Sequence, residues 1–306
     1  MFSRAKMMNF TVDESEVHQA NISMWLTGAA VFLSALNTLL SITASLGNAL
    51  ILVALRNESS LHAPTKLLFQ CLAIFDLCTG VISQPLFAVS ILAHVVKIAY
   101  FKEGFTVIGY TLCGTSTAIT AAISVDRLLA LLLGLRYRHV VTLRRTRAVI
   151  VCSFVTGISI GSMHCWSDQV ASLADIIFGL VSLTTSILSY TKIYLTLRQH
   201  QAQVQEHVNQ GQRNGGGIQL NIARYKRSVA WVQLTLLICY LPFHILSITN
   251  AIPDGRGYDT ESLSLAVNIT LVYLNSSLNP ILYCWKIREV KQAVKYTIRQ
   301  FCCLSC

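Results

Sequence analysis

The chain has 306 residues, 53% of them hydrophobic and only 12% charged, with mean hydropathy +0.54 and net charge +10. Soluble domains carry about twice that charged fraction, so most of this surface is expected to face lipid rather than water. The basic excess sits beside long apolar segments, which argues against a nucleic-acid partner.

A membrane-spanning helix needs about 20 apolar residues. Seven segments qualify, at 25–55, 65–95, 103–133, 147–166, 169–197, 226–251 and 262–285. They are too long, and alternate too little, for the strands of a membrane barrel. Residues 1–20 are polar and hold Asp13, Glu14 and Glu16, so the first span is expected to act as its own insertion signal. At the N-terminal end, Asn9-Phe-Thr11 and Asn21-Ile-Ser23 carry the N-glycosylation pattern. Span one contains Gly47-Asn48, and Asn48 is expected to reach Asp76 and freed backbone in span seven. Span two contains Asp76, a carboxylate at mid-membrane that must be paired or hydrated. It reads either as a satisfied structural group or as an ion or proton site. Ser116 in span three and Asn275, Ser276 and Asn279 in span seven are its candidate partners. Such an oxygen set suits a hard cation such as sodium.

Span three ends in Asp126-Arg127-Leu128. An adjacent acid and arginine at the inner rim can hold each other in one state and separate in another; a static surface pair is the plainer reading. Only Ser167-Asp168-Gln169 separates spans four and five. The longest connection, 198–225, is polar and includes Gly215-Gly216-Gly217, which reads as a flexible loop. Span six contains Pro242, which should kink the helix and make its inner half a lever against which Tyr190 of span five can pack. Span seven carries Asn279-Pro280-Ile281-Leu282-Tyr283, polar and bendable in an otherwise apolar segment. Beyond it, Ile287, Val290, Val294 and Ile298 recur at helical spacing among basic residues, which reads as an amphipathic eighth helix on the inner membrane surface. Cys302, Cys303 and Cys306 then sit where reversible palmitoylation occurs. Cys71, Cys78, Cys113, Cys152, Cys239 and Cys284 read as small apolar packing residues, with no metal-ligand spacing.

Charge placement orients the bundle. Of 24 Lys and Arg, only Arg4, Lys6, Lys97, Lys102 and Arg256 fall on the N-terminal side. The rest gather at the opposite ends of the spans, notably in 136–147, 198–227 and 286–299. Lys and Arg mark the cytoplasmic side, so the N-terminus is expected outside and the C-terminus inside, which requires an odd number of spans.

Asn48, Leu72–Asp76, Asp126-Arg127, Tyr190, Pro242 and Asn279–Tyr283 follow one another in order, one set per span. In this the chain resembles the rhodopsin-like (class A) G-protein-coupled receptors over nearly its whole length. The resemblance implies an all-α membrane protein: an outer tail at 1–24, a seven-transmembrane helix bundle at 25–285 and a C-terminal amphipathic eighth helix with a Cys-rich tail at 286–306. It implies a multi-pass plasma-membrane receptor with an extracellular ligand, a small molecule or short peptide. It also implies a heterotrimeric G protein docking around Arg127 as span six swings outward. Asn48, Asp126, Arg127, Tyr190, Tyr240, Pro242, Pro280 and Tyr283 are the expected switch residues.

The chain departs from the family in several places. Leu128 follows Asp126-Arg127 where a Tyr is usual, and Tyr240 replaces the span-six Trp. Span four lacks its usual mid-helix Trp and span five its usual Pro. The customary disulfide cannot form, because the top of span three, Tyr100–Gly104, has no Cys, and Cys165 is left without that partner. The lost disulfide and tiny second outer loop are similar to the melanocortin group, and Cys239–Leu246 is similar to adenosine receptors. Most amine receptors have an Asp where this chain has Gly109, so ordinary amine recognition is disfavoured. By the same resemblance Gly109, Tyr110, Cys113, Asp175, Phe243, His244 and Tyr273 should line the outer pocket. Asp175 lies about 22 Å outward of Tyr190 at 1.5 Å per residue, and is expected to pair with His244.

The competing class is a seven-span ion or proton transporter using Asp76 and Asp175. A retinal pigment would need a span-seven Lys, and residues 262–285 have none. No Ser/His or paired-Asp catalytic spacing points to an enzyme.

Overall fold

The computed structural model describes residues 14–57, 61–95, 102–209, 215–251, 263–286, 291–292, 294–296 and 299, all of whose regular structure is helical. Seven helices are long and apolar enough to cross a membrane: Thr27–Arg56, Ala63–Ala93, Thr106–Val140, Leu143–Met163, Asp168–Gln203, Val229–Thr249 and Leu263–Leu282. They are spans one to seven below. A chain buried in hydrocarbon must satisfy every backbone N–H and C=O internally, and unbroken helices do so.

The spans form a closed ring. Span one packs on two and seven, span three on two, four and five, and span six between five and seven. Half of span two's apolar window is buried but only 17% of span four's, so span four stands at the margin. Its contact with span three is nevertheless close. A Cβ on Gly157 or Gly161 would collide with the hydroxyls of Thr115 and Thr111, respectively. Small residues four apart let two backbones approach, and in lipid that packing is a main source of helix association. Large side chains such as Phe32, Leu46 and Ile281 point outward, as a lipid-facing belt requires. Trp166, 83% exposed, stands at the outer end of span four, a usual interfacial position for Trp.

Three local features differ from the sequence expectation. Span two contains a π-helical turn, Thr79–Ser83, which no residue pattern announced. Gly80 there faces span one so closely that a Cβ would stand 2.8 Å from Ser45 Oγ, and its carbonyl accepts from Ser41 Oγ at 2.6 Å. The predicted flexible stretch 198–225 is largely helical. The span-five helix runs on to Asn209, and the span-six helix begins at Gly215. Gln, Arg, Glu and Ala favour helix even outside the membrane, and Lys226 Nζ donates to Gln201 Oε1 at 3.0 Å, joining the two extensions. At the N-terminus the helix already starts at Glu14, inside the stretch read as a tail.

The eighth helix is described at Lys291, Gln292, Val294, Lys295, Tyr296 and Arg299. Val294 is buried in a cluster with Ile51, Leu55, Leu68 and Ile119, while Lys291, Lys295 and Arg299 are exposed. That is the amphipathic division of a helix lying across the inner end of the bundle. Asn9, Cys302, Cys303 and Cys306 lie outside the described residues, as do the side chains of Asn21 and Tyr283.

Candidate functional site

The polar residues read from the sequence fall at three depths. At mid-membrane, Asp76 is fully buried. Its Oδ1 accepts from Ser116 Oγ at 2.7 Å and Ser276 Oγ at 2.8 Å, and its Oδ2 from Asn279 Nδ2 at 2.7 Å. Burying a carboxylate is costly, and hydrogen bonds to the charged form offset part of that cost. Spans two, three and seven are joined through this one group.

Asn48 reaches the freed backbone of span seven, as expected, but not Asp76. Its Nδ2 donates to Ala44 O at 2.8 Å and to Ser276 O at 3.1 Å. Ser276 lies four residues before Pro280, so its carbonyl is the one that the proline leaves without a helical N–H. Both amide protons are thereby used, and Asn48 does not bond Asp76. Gly47 permits the approach, since a Cβ there would already stand 3.0 Å from Pro280 Cγ. Asn275 Nδ2 donates to Tyr240 Oη at 3.0 Å, linking span seven to span six two residues before Pro242. Tyr240 and Tyr190 share one buried cluster with Val229, Val232 and Leu236 of span six. A cavity of about 20 Å³ lies nearby, its wall including Thr120, Tyr190, Asn275 and Asn279.

At the inner end, Arg127 pairs with Asp126 through Nε at 3.1 Å and Nη2 at 2.5 Å. The pair has two further partners that the sequence reading missed. Thr65 Oγ1 accepts from Arg127 Nη2 at 2.8 Å and donates to Asp126 Oδ2 at 3.1 Å. Tyr137 Oη donates to Asp126 Oδ1 at 2.6 Å. Tyr137 reaches back because the chain turns at Gly134, whose φ of 50° is easily adopted only by glycine. The one available signal was a Tyr embedded in a basic inner loop, Leu135–Thr142. Leu128 has no hydroxyl to offer, and Tyr137 supplies one from the next turn of chain.

In the outer half, Gly109, Tyr110 and Cys113 come from span three, Asp175 from span five, Phe243 and His244 from span six and Tyr273 from span seven. Gly109 admits Tyr273, whose hydroxyl lies 3.3 Å from where a Cβ would stand. Tyr110 stacks on His164 with ring centroids 4.2 Å apart. The expected Asp175–His244 pair is not formed. His244, 3% exposed, lays its ring against Gly179, and neither ring nitrogen has a hydrogen-bond partner. The missing Cβ at 179 opens a slot one helical turn inward of Asp175, and the imidazole occupies that slot.

Residues 47–175 and 163–283 match the family described as 7 transmembrane receptor (rhodopsin family). The chain belongs to this family. As a rhodopsin-family receptor it is a multi-pass membrane protein that transduces the binding of an extracellular ligand into G-protein activation, and the match does not favour the transporter reading. It is 26% identical over 309 residues to adenosine receptor A2a of Homo sapiens, covering 90% of this chain and 74% of that receptor. The A2a receptor of Canis lupus familiaris is 27% identical, over 85% and 70% of the two chains. Trace amine-associated receptor 6 of Rattus norvegicus is 24% identical, over 88% and 85%.

This rhodopsin-family chain closes its outer rim without the customary disulfide. Cys165 is free and exposed. The turn after span four is held instead by His164, which stacks on Tyr110 of span three while its Nδ1 lies 3.0 Å from Asp168 Oδ1 at the start of span five. One imidazole in the turn thus touches spans three and five.

Proposed function

We propose that this receptor works at the plasma membrane with its N-terminus outside, and that a small molecule or short peptide binds among Tyr110, Cys113, Asp175, Phe243, His244 and Tyr273. A heterotrimeric G protein then engages the inner face around Arg127. The observation that carries this reading is a pair of buried polar networks, one joining the spans at mid-membrane around Asp76 and one holding Arg127 at the inner end. Asn275 links Tyr240 of span six to span seven, Asn279 and Ser276 link span seven to Asp76, and Asn48 holds the carbonyl freed by Pro280. At the inner end Asp126 holds Arg127 with help from Thr65 and Tyr137. A ligand that favours one packing of spans six and seven shifts this two-state system by its difference in affinity for the two packings, typically about 1–3 kcal/mol.

Sodium fits the mid-membrane group. The donors are hard oxygens: one carboxylate, the hydroxyls of Ser116 and Ser276, and Asn275 Oδ1, which has no protein hydrogen-bond donor. Asp76, Ser116, Asn275 and Asn279 would hold the cation, which would neutralise the buried carboxylate and favour the resting packing. The relatives named for adenosine and for trace amines do not transfer their ligands at this identity. Gly109 supplies no carboxylate for an amine, and Asp175 is the acid among the proposed pocket residues.

The test is a G-protein dissociation sensor in cells expressing wild type, Arg127→Ala or Asp76→Asn, with ion flux recorded in parallel. Sensor response in wild type that is lost in Arg127→Ala supports the reading. Ion flux that survives Arg127→Ala and disappears in Asp76→Asn would replace it with transport.

A further inference from the structure

Spans five and six lie side by side along their inner halves. Tyr190, Ile193 and Leu197 of span five and Val229, Val232 and Leu236 of span six are buried in one cluster. Each trio is spaced three and then four residues apart, the spacing of a seam between two coiled helices. At its inner end the seam closes on a polar contact. Lys226, three residues inward of Val229, donates from Nζ to Gln201 Oε1 at 3.0 Å and stands 5.0 Å from the centroid of the Tyr194 ring. Tyr194 and Gln201 are two helical turns apart on one face of span five, so both can meet a single ammonium.

Composition rules out a carboxylate tie from span six to Arg127. The span-six helix, Gly215–Ala251, contains no Asp or Glu. Arg127 meets Asp126 of its own span, and Thr65 and the Phe69 ring of span two. The charged group that span six does place against a neighbouring span is Lys226, and that neighbour is span five.

Position gives this contact leverage. Lys226 lies sixteen residues inward of Pro242, about 24 Å along the helix at 1.5 Å per residue. A change of about 20° in the proline bend carries it about 8 Å, far beyond hydrogen-bond reach, while contacts nearer the proline move less. The apolar seam opposes such a swing weakly, because lipid tails replace the contacts it loses. The contacts of the ammonium are specific. A charged donor on an amide oxygen and a cation over an aromatic face both need their partners in place.

We propose that Lys226 is a latch that holds the inner half of span six on span five in the resting receptor, and that activation requires its release from Gln201 and Tyr194. The latch rests on the receptor reading above, and assigns the resting restraint of span six to span five.

The test is a charge exchange in the full chain. Ligand-free G-protein dissociation is recorded in cells at matched surface expression, and thermal unfolding midpoints are measured in lipid nanodiscs. Gln201→Glu sets a carboxylate against Lys226 and should lower the ligand-free signal. Gln201→Lys opposes the ammonium and should raise that signal about twofold to fivefold, the range expected for a partly exposed charge contact. Tyr194→Leu should raise it as well. Lys226→Glu combined with Gln201→Lys restores an opposite-charge pair, and should return signal and midpoint most of the way to wild type. A role confined to G-protein docking would not give that recovery in the midpoint. An Arg127-sensitive signal that ignores the charge at position 201, a rise in Gln201→Glu, or a double variant no better than its single variants would overturn the latch. A wild-type signal that Arg127→Ala leaves intact counts against the receptor reading instead. The midpoints then decide the contact by themselves, strictly additive values overturning it.

Discussion

Gly179 offers a sharp test of how spans five and six fit together. Its Cβ position lies 2.7 Å from His244 Nε2, and closer still to Cε1. Contacts under 3 Å do not persist, so Gly179→Ala must push the imidazole from its slot or spread the two spans. Overpacking of this kind costs about 1–3 kcal/mol, or about 5- to 150-fold in an equilibrium constant. His244→Ala alone should cost less, because it removes a ring whose polar atoms have no partners and so relieves their desolvation while losing packing. In the double variant the clash has no second party. The coupling between the two substitutions should therefore approach the whole penalty of Gly179→Ala, within the roughly 0.5–3 kcal/mol seen for touching residues. The measurement is the thermal unfolding midpoint of wild type, both single variants and the double variant, with basal G-protein activation read alongside. A Gly179→Ala receptor as stable as wild type, or strictly additive midpoints, would refute the placement of His244 against span five.

Three further predictions concern the polar networks. Asn48→Ala should destabilise by about 1–3 kcal/mol, because Ser276 O loses its donor in a buried site. Adding Pro280→Ala should erase most of that loss by restoring the helical N–H, and thermal midpoints of the four combinations will show whether it does. Asp76→Asn keeps Ser116 and Ser276 supplied with an acceptor but turns an N–H toward Asn279 Nδ2. It should abolish any sodium dependence of the unfolding midpoint, and a sodium effect of wild-type size in this variant would rule out the proposed cation site. Tyr137→Phe removes one of the donors to Asp126. It should raise ligand-free G-protein activation without impairing surface expression, and unchanged basal signal would mean that Tyr137 does not help restrain Arg127.

Much of the site was readable because membrane chemistry makes polar residues conspicuous. Asp76 in an apolar helix needed partners, and Ser116 and Asn279 were among the few candidates at a matching depth. The direct Asn48–Asp76 contact and the Asp175–His244 pair were misplaced for a shared reason. Sequence gives depth along a helix, but which neighbour takes a given proton depends on rotation and close approach. Gly47 and Gly179 set those approaches, and a glycine in a string of letters does not say what it makes room for. Thr65 and Tyr137 escaped notice because their partners lie on other elements, and a polar residue near the membrane edge need not be satisfied within the bundle.

The sequence by itself determined the membrane class, the number of spans, and which span-seven carbonyl the proline would free. These follow from hydropathy and the missing N–H of proline, both local properties of the chain. Only the tertiary structure decided that the span-two backbone takes a π turn, that Asn48 spends both amide protons away from Asp76, and that His244 lies in the Gly179 slot. Each depends on how closely two helices approach and how each is rotated about its axis, and those quantities arise only when the spans pack together.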